Sequence, residues 1–102
     1  MILINTTFFI DKFTRSVFID WVNNIYLPEI IKSKLFHSQE LFEILPSPDP
    51  DNISFAFQLR SDKETEATEW YEKIGENILS SIVRNEKDKI LYFTTVMKRC
   101  QL

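Results

Sequence analysis

Four stretches of the chain carry the residue pattern of β-strands. In residues 2–10 the even positions form a largely apolar face and the odd positions are mixed, while residues 53–60 alternate most regularly, with apolar side chains at the odd positions. Residues 90–97 are apolar, aromatic and β-branched throughout, and residues 39–45 are apolar but less regular before a proline-rich turn. A period of two and β-branched or aromatic enrichment are typical of strands, so we predict strands over these four ranges.

Between these strands, two stretches repeat with the helical period. The first helix is predicted over residues 16–31, where Pro28 should end or kink it and leave 29–34 as a short continuation. Its apolar stripe, which should face the core, comprises Phe18, Trp21, Val22, Ile25 and Leu27.

The second helix is predicted to start at a capping box formed by Ser61 and Glu64. Gly75, the only glycine of the chain, lies inside this helix, where a bend or a close packing contact would explain it. The predicted core stripe comprises Ala67, Trp70, Tyr71, Ile74, Ile78 and Ile82.

The resulting order, βαββαβ, predicts an α+β fold of the ferredoxin-like type, with an antiparallel four-stranded sheet and both helices on one of its faces. We interpret residues 1–102 as one domain, with an exposed loop at 46–52 that contains three prolines. The other face of the sheet is left uncovered.

With these elements placed, several short motifs can be compared with known families: Asn5-Thr6-Thr7, Trp21, Leu27-Pro28-Glu29, Leu35-Phe36, Phe55-Ala56-Phe57-Gln58, Lys89 and Phe93-Thr94-Thr95. In these motifs the chain resembles a family of bacterial proteins called domain of unknown function 4286 (DUF4286), over nearly its whole length. That family has a His where this chain has Tyr26, and a Thr-Gly turn at Ser33-Lys34. The resemblance implies the architecture and no particular activity.

Composition and charge narrow the function classes. The chain is 44% hydrophobic and 26% charged, as in ordinary globular domains, and its formal net charge of −3 repels the phosphate backbone of nucleic acids. An RNA-recognition module has the same strand order, but the basic and aromatic signature of that module is missing from residues 53–60. No apolar run is long enough to span a membrane, and residues 1–10 do not form a signal peptide. We therefore predict a cytoplasmic protein that binds neither nucleic acid nor membrane.

Cys100 and His37 are the single cysteine and the single histidine. No internal disulfide can form, and zinc or iron-sulfur sites need several such ligands, so we predict no metal and no cofactor. The acidic pairs Asp62/Glu64, Glu66/Glu69 and Glu72/Glu76 are interpreted as a solvated helix face.

The uncovered sheet face is the candidate site. Asn5, Thr7, Gln58, Arg60 and Tyr92 are predicted to lie on it, with Thr94, as hydrogen-bonding groups among aromatic side chains. A second copy packed on this face would cover it, as in dimeric α+β barrels. These polar residues then either bind a small molecule or belong to a hydrated dimer interface, and the interface is favoured.

Two functions remain open at this point. The first is a non-catalytic homodimer that binds a small ligand or a protein partner through the sheet face, with no catalytic residue. The alternative is a cofactor-free enzyme similar to dimeric α+β barrel monooxygenases and isomerases, in which Asn5, Gln58, Tyr92 or His37 would surround an aromatic substrate.

Overall fold

The strands form one antiparallel sheet in the computed structural model, which describes residues 1–47 and 49–102. Within these residues the sheet has the order β2-β3-β1-β4, and two helices lie on one face, which confirms the predicted ferredoxin-like fold. The Cα atoms extend over 38 × 31 × 17 Å, as expected for one sheet layer and one helix layer. The strands are β1 Ile2–Asp11, β2 Ser38–Glu43, β3 Asn52–Ser61 and β4 Ile90–Lys98.

Each helix contains a π-helical turn near its middle. Helix α1 consists of Arg15–Trp21, the π turn Val22–Tyr26 and Leu27–Ser33, and helix α2 consists of Glu64–Trp70, the π turn Tyr71–Gly75 and Glu76–Glu86. In each π turn a backbone N–H donates to the carbonyl five residues earlier, from Leu27 to Val22 and from Glu76 to Tyr71. A π turn therefore adds one residue without ending the helix.

The extra residue moves the buried stripe of both helices by one position. Ile25 and Ile74, predicted as core residues, are 51% and 43% exposed, and Tyr26 and Gly75 are buried instead. The prediction at Ile25 and Ile74 was wrong because a stripe of constant period assumes α-helical turns throughout. The remaining predicted core positions are partly buried at Leu27 and Ile78 and buried elsewhere, at Phe18, Trp21, Val22, Ala67, Trp70, Tyr71 and Ile82.

Two predictions about helix ends also need correction. Of the two outcomes predicted at Pro28, an end of the helix does not occur, because helix α1 continues through Leu27–Ser33. The irregularity lies directly before Pro28, in the π turn Val22–Tyr26. Ser61 does not cap helix α2, since its hydroxyl donates to the carbonyl of Leu35 at 2.6 Å and accepts from the backbone N–H of Lys63 at 3.0 Å. The buried Ser61 therefore ties the end of β3 to the segment after helix α1.

Strand β1 lies between β3 and β4 and sets which side chains face the helices. Its even residues pair with odd residues of β3 and even residues of β4. Phe8, for example, is fully buried between Phe55 and Tyr92 and packs on Phe18 with ring centroids 4.8 Å apart. The core thus forms between the even face of β1 and the two helices.

Tyr92 and Thr94 lie on the helix side of the sheet, so their predicted position on the uncovered face was wrong. Tyr92 pairs with Phe8 and donates a hydrogen bond to Glu76 Oε1 at 2.7 Å, and the Thr94 and Thr6 hydroxyls are 2.9 Å apart. Residues 90–97 are apolar on both faces, so alternation could not fix which face each residue takes.

Aromatic rings fill the contact between the two helices. Tyr26 stacks on Trp70 with ring centroids 6.3 Å apart and on Trp21 with centroids 5.4 Å apart. Gly75 lies against these rings, and a Cβ at Gly75 would be 2.9 Å from Tyr71 Cδ1 and 3.1 Å from Trp70 Cζ3. The glycine is therefore explained by close packing.

Burial changes the acidity of the tyrosines in this layer. Burial raises the pKa of Tyr26, of Tyr71 and of Tyr92 above its ordinary value, and the negative charge of Glu76 acts in the same direction on each. Glu76 accepts hydrogen bonds from Tyr71 at 2.8 Å and from Tyr92, so it joins helix α2 to β4 and does not belong to a solvated face. Glu64 of the same predicted face also contacts β4, through an ion pair with Lys98 at 3.4 Å.

Of the predicted loop 46–52, Pro48 lies outside the described residues. Asp49 accepts hydrogen bonds from the backbone N–H of Asp51 at 2.7 Å and from Asn52 Nδ2, which closes the turn before β3. These bonds lower the pKa of the Asp49 carboxyl.

No helix in residues 1–47 and 49–102 combines the length and apolarity needed to cross a membrane.

We expect Gly75→Ala to destabilise the protein by about 1 kcal/mol, because overpacking against the rings of Tyr71 and Trp70 outweighs the higher helix propensity of alanine. Urea unfolding would measure this difference. Glu72→Ala, at an exposed position of the same π turn, is the control and should change stability by less than about 0.5 kcal/mol. A more stable Gly75→Ala protein would contradict the packing argument.

We also expect the protein to lose stability as pH rises above about 10, where tyrosines ionise in the unfolded chain. The raised pKa values mean that the folded state keeps its phenolic protons longer, so the stabilisation is complete below that pH and declines above it. Tyrosinate absorbance should appear together with loss of helical circular dichroism. The loss of stability with rising pH should be shallower in the Tyr92→Phe variant. A tyrosinate signal from protein that remains folded near pH 10 would contradict this expectation.

Candidate binding site on the open sheet face

The sheet face opposite the helices presents the odd residues of β1 and β4 and the even residues of β2 and β3. Antiparallel pairing arranges these residues in rows across the sheet. From β2 to β4 the rows are Ser38, Arg60, Leu3 and Met97; Glu40, Gln58, Asn5 and Thr95; Phe42, Ala56, Thr7 and Phe93; and Ile44, Ser54, Phe9 and Leu91.

Six of these side chains form one hydrogen-bonded group, in which Ser38 Oγ donates to Glu40 Oε1 at 3.5 Å. We call the other five the polar row: Glu40, Arg60, Gln58, Asn5 and Thr7. Arg60 Nη1 donates to Glu40 Oε1 at 2.9 Å, and Arg60 Nη2 donates to Gln58 Oε1 at 3.0 Å. Gln58 Nε2 donates to Asn5 Oδ1 at 3.3 Å, and Asn5 Nδ2 donates to Thr7 Oγ1 at 3.2 Å. These bonds fix each side chain through its neighbour, which is the pre-organisation that a binding surface needs.

Beside the polar row, small residues lie between larger aromatic ones, and we call this arrangement the aromatic trough. Its floor is formed by the small residues Thr7, Ser54 and Ala56, and its sides by Phe42 on β2 and by Phe9 and Phe93 on β1 and β4. The rings of Phe9 and Phe93 are tilted against each other with centroids 6.0 Å apart. Thr7 and Ser54 are only 9% and 4% exposed, because taller side chains surround them.

The structure brings four of the five predicted site residues together. Asn5, Thr7, Gln58 and Arg60 all belong to the polar row, whereas Tyr92 lies on the opposite face of the sheet. Glu40, Phe42 and Phe93 also lie on this face, although they were not predicted there from the sequence. The pairing of β2 and β4 with their neighbours would have revealed them, but residues 39–45 and 90–97 do not alternate clearly enough to fix it.

The same face also carries much of the exposed apolar surface of the chain. Six large apolar side chains on it are between 39% and 55% exposed: Phe9, Phe42, Ile44, Leu91, Phe93 and Met97. They lie on both sides of the polar row. A sheet surface with large apolar side chains around a polar centre has the composition of a buried contact surface rather than of a solvated one.

The other ionisable groups that could support chemistry lie away from this face. His37 Nε2 is 3.7 Å from Asp62 Oδ2, both side chains are exposed, and they lie in the segments before β2 and after β3. Glu76 of helix α2 accepts hydrogen bonds from Tyr71 and Tyr92 on the helix side of the sheet. Asn5 and Gln58 therefore lie on the opposite face of the sheet from Tyr92, and away from His37.

Two grooves on the helix side are less suited to recognise a ligand. One, of about 300 Å³, lies between helix α1 and β2 and contains Asn23 and Gln39 among apolar residues. The other, of about 470 Å³, separates the two helices near Ile25 and Ile74. Within the described residues, no hydrogen bond positions the amides of Asn23 and Gln39, and in the second groove Asn77 Nδ2 donates to the carbonyl of Lys73 at 2.9 Å. We place the candidate site on the sheet face, where several polar side chains are joined to one another by hydrogen bonds.

Solved structures share this fold at low sequence identity. HapK from Hahella chejuensis has a TM-score of 0.65 and 11% identity, over 98% of this chain and 93% of that chain. An ethyl tert-butyl ether d (EthD) family protein from Bacillus halodurans has a TM-score of 0.61 and 12% identity, over 98% of this chain and 100% of that chain. A dimeric ferredoxin-like protein from an uncultured marine organism has a TM-score of 0.58 and 13% identity, over 94% and 92%.

At these identities the likeness shows the fold alone. No curated protein matches the sequence. The model of one protein family does match, over residues 1–100, and the family is described as a domain of unknown function. The chain therefore belongs to the DUF4286 family, as the sequence resemblance indicated.

Proposed function

We propose that the protein is a non-catalytic homodimeric binding module whose two copies pack their open sheet faces together and hold a small molecule between them. The observation that carries this proposal is the combination of six exposed apolar side chains with a hydrogen-bonded polar row on one face. A second copy would remove the apolar side chains from water and leave the polar row facing an enclosed space.

The size of the face supports a stable dimer. Four strands about 4.8 Å apart, with lengths of 10, 6, 10 and 9 residues, present an area on the order of 600 Å². Two such faces would bury about 1,200 Å², which reaches the lower end of the range for specific protein–protein interfaces. The shape of the chain, 38 × 31 × 17 Å, makes the sheet face one of its two broad surfaces.

The charges on the face also permit a second copy. Glu40 and Arg60 neutralise each other through their 2.9 Å ion pair, so two faces can approach without repulsion between like charges. A dimeric ferredoxin-like protein is among the solved structures of the same fold. That protein supports a dimer for this chain by analogy of fold.

The separation of the ionisable groups favours binding over catalysis. The polar row contains amides, a hydroxyl and one ion pair, which can orient a ligand by hydrogen bonds. General acid or base chemistry needs a group with a suitable pKa at the reacting atom, and both His37 and Tyr92 lie elsewhere. We place the protein in the cytoplasm, where its one cysteine, the exposed Cys100, would stay reduced.

Native mass spectrometry tests the dimer directly. We expect the wild-type protein to be a dimer and Phe93→Lys to be largely monomeric, because a charge on the 53% exposed Phe93 would be buried in the interface. Ile31→Lys is the matched control, since Ile31 is 58% exposed on helix α1 and its substitution should leave the dimer intact. A monomeric wild-type protein would refute the proposed assembly.

The ligand is tested with the double variant Gln58→Leu, Thr7→Val, purified gently from cell lysate beside the wild type. We expect the wild-type dimer to carry excess mass from a retained small molecule, and the variant to remain dimeric and lose that mass, because its amide and hydroxyl no longer bind the ligand. Gln101→Leu with Thr65→Val, at exposed positions, repeats the same changes as a control. Equal ligand content in wild type and double variant would show that the polar row does not form the site.

A further inference from the structure

We propose that the molecule held on this face is a planar aromatic compound that carries hydrogen-bond acceptor oxygens at one end, as in an aromatic carboxylate. This inference rests on the proposed function and names its ligand class. The aromatic part would lie in the trough between Phe42 and Phe93, and the oxygens would face the polar row at Asn5 and Gln58.

The shape of the trough selects a flat ligand. Phe42 and Phe93 lie on the two outer strands of one row, three strand spacings or about 14 Å apart, with only Ala56 and Thr7 between them. Side chains this small leave a flat floor between two aromatic sides. A planar ring system can stack on or against these rings, whereas an aliphatic chain would gain no such contact.

The hydrogen-bonding capacity of the polar row selects acceptor oxygens. The side-chain oxygens of Thr7, Asn5 and Gln58 each already accept a bond from a neighbour in the row. The amide nitrogens of Asn5 and Gln58 each donate one of their two hydrogens in that row, and the Arg60 guanidinium donates two of its five. Asn5 and Gln58 therefore each keep one unused N–H, and Arg60 keeps three, while the Glu40 carboxylate is engaged by Arg60. These unused N–H donors suit a carboxylate or carbonyl oxygen.

The two parts of the site lie at the right separation for one molecule. The Asn5–Gln58 pair is one row away from the Thr7–Ala56 pair, which is two residues or about 7 Å along the strands. Thr7 belongs to both the trough and the polar row, so no tall side chain stands between them. A fused bicyclic aromatic acid can thus cover the trough and reach the donors.

Calorimetric titration with two probes of the same ring system tests this inference on the full chain. We expect 2-naphthoate to bind at least tenfold more tightly than naphthalen-2-ylmethylammonium, which presents only donors. In Asn5→Leu the preference should fall at least fivefold, because one free N–H of the row is lost. Asn85→Leu, at an exposed position of helix α2, should keep the preference.

Equal affinity for the two probes, absence of binding by both, or an unchanged preference in Asn5→Leu would each overturn the assignment. Amide chemical shifts of β1 and β3 should change with 2-naphthoate, and shifts confined to the helices would also overturn it. Failure of the proposed ligand class can be distinguished from failure of the proposed dimer. A dimer without the probe preference refutes the ligand class alone, and a monomer that prefers 2-naphthoate refutes the assembly alone.

Discussion

The antiparallel register of β1 between β3 and β4 is the constraint on which the rest of the structure depends. Side chains alternate between faces, so the pairing of Phe8 with Phe55 and Tyr92 sends the even residues of β1 into the core. The same pairing places Asn5 opposite Gln58 on the other face. A slip of one residue would exchange the two sets and bury the amides under the helices, so burial of the core enforces the arrangement of the candidate site.

The helix layer meets this sheet through aromatic rings and two π turns. Each π turn inserts one residue, and together they bring Tyr26 and Gly75 into the contact between the helices. Among the described residues, Tyr26 Oη and Trp21 Nε1 are buried without a hydrogen-bond partner. Such a group lowers stability by about 1–3 kcal/mol, which dense stacking of the rings offsets in part.

The open face combines two properties that rarely serve the same purpose. Its exposed apolar side chains favour association, and its polar row is fixed by bonds between its own members, from Glu40 to Thr7. A purely structural interface gains little from a pre-organised group of amides, whereas a ligand site gains specificity from it. This difference is the reason for proposing a bound small molecule in addition to a second copy.

The sequence by itself determined the element order, the ferredoxin-like fold and the faces of β1 and β3, because regular alternation around Phe8 and Phe57 leaves one assignment that buries the apolar set. It therefore also placed Asn5, Thr7, Gln58 and Arg60 together. Tertiary structure decided the rest. The faces of Tyr92 and Phe93 depend on pairing with β1, and the burial of Gly75 in place of Ile74 depends on a π turn stabilised by packing between helices, which local periodicity does not encode.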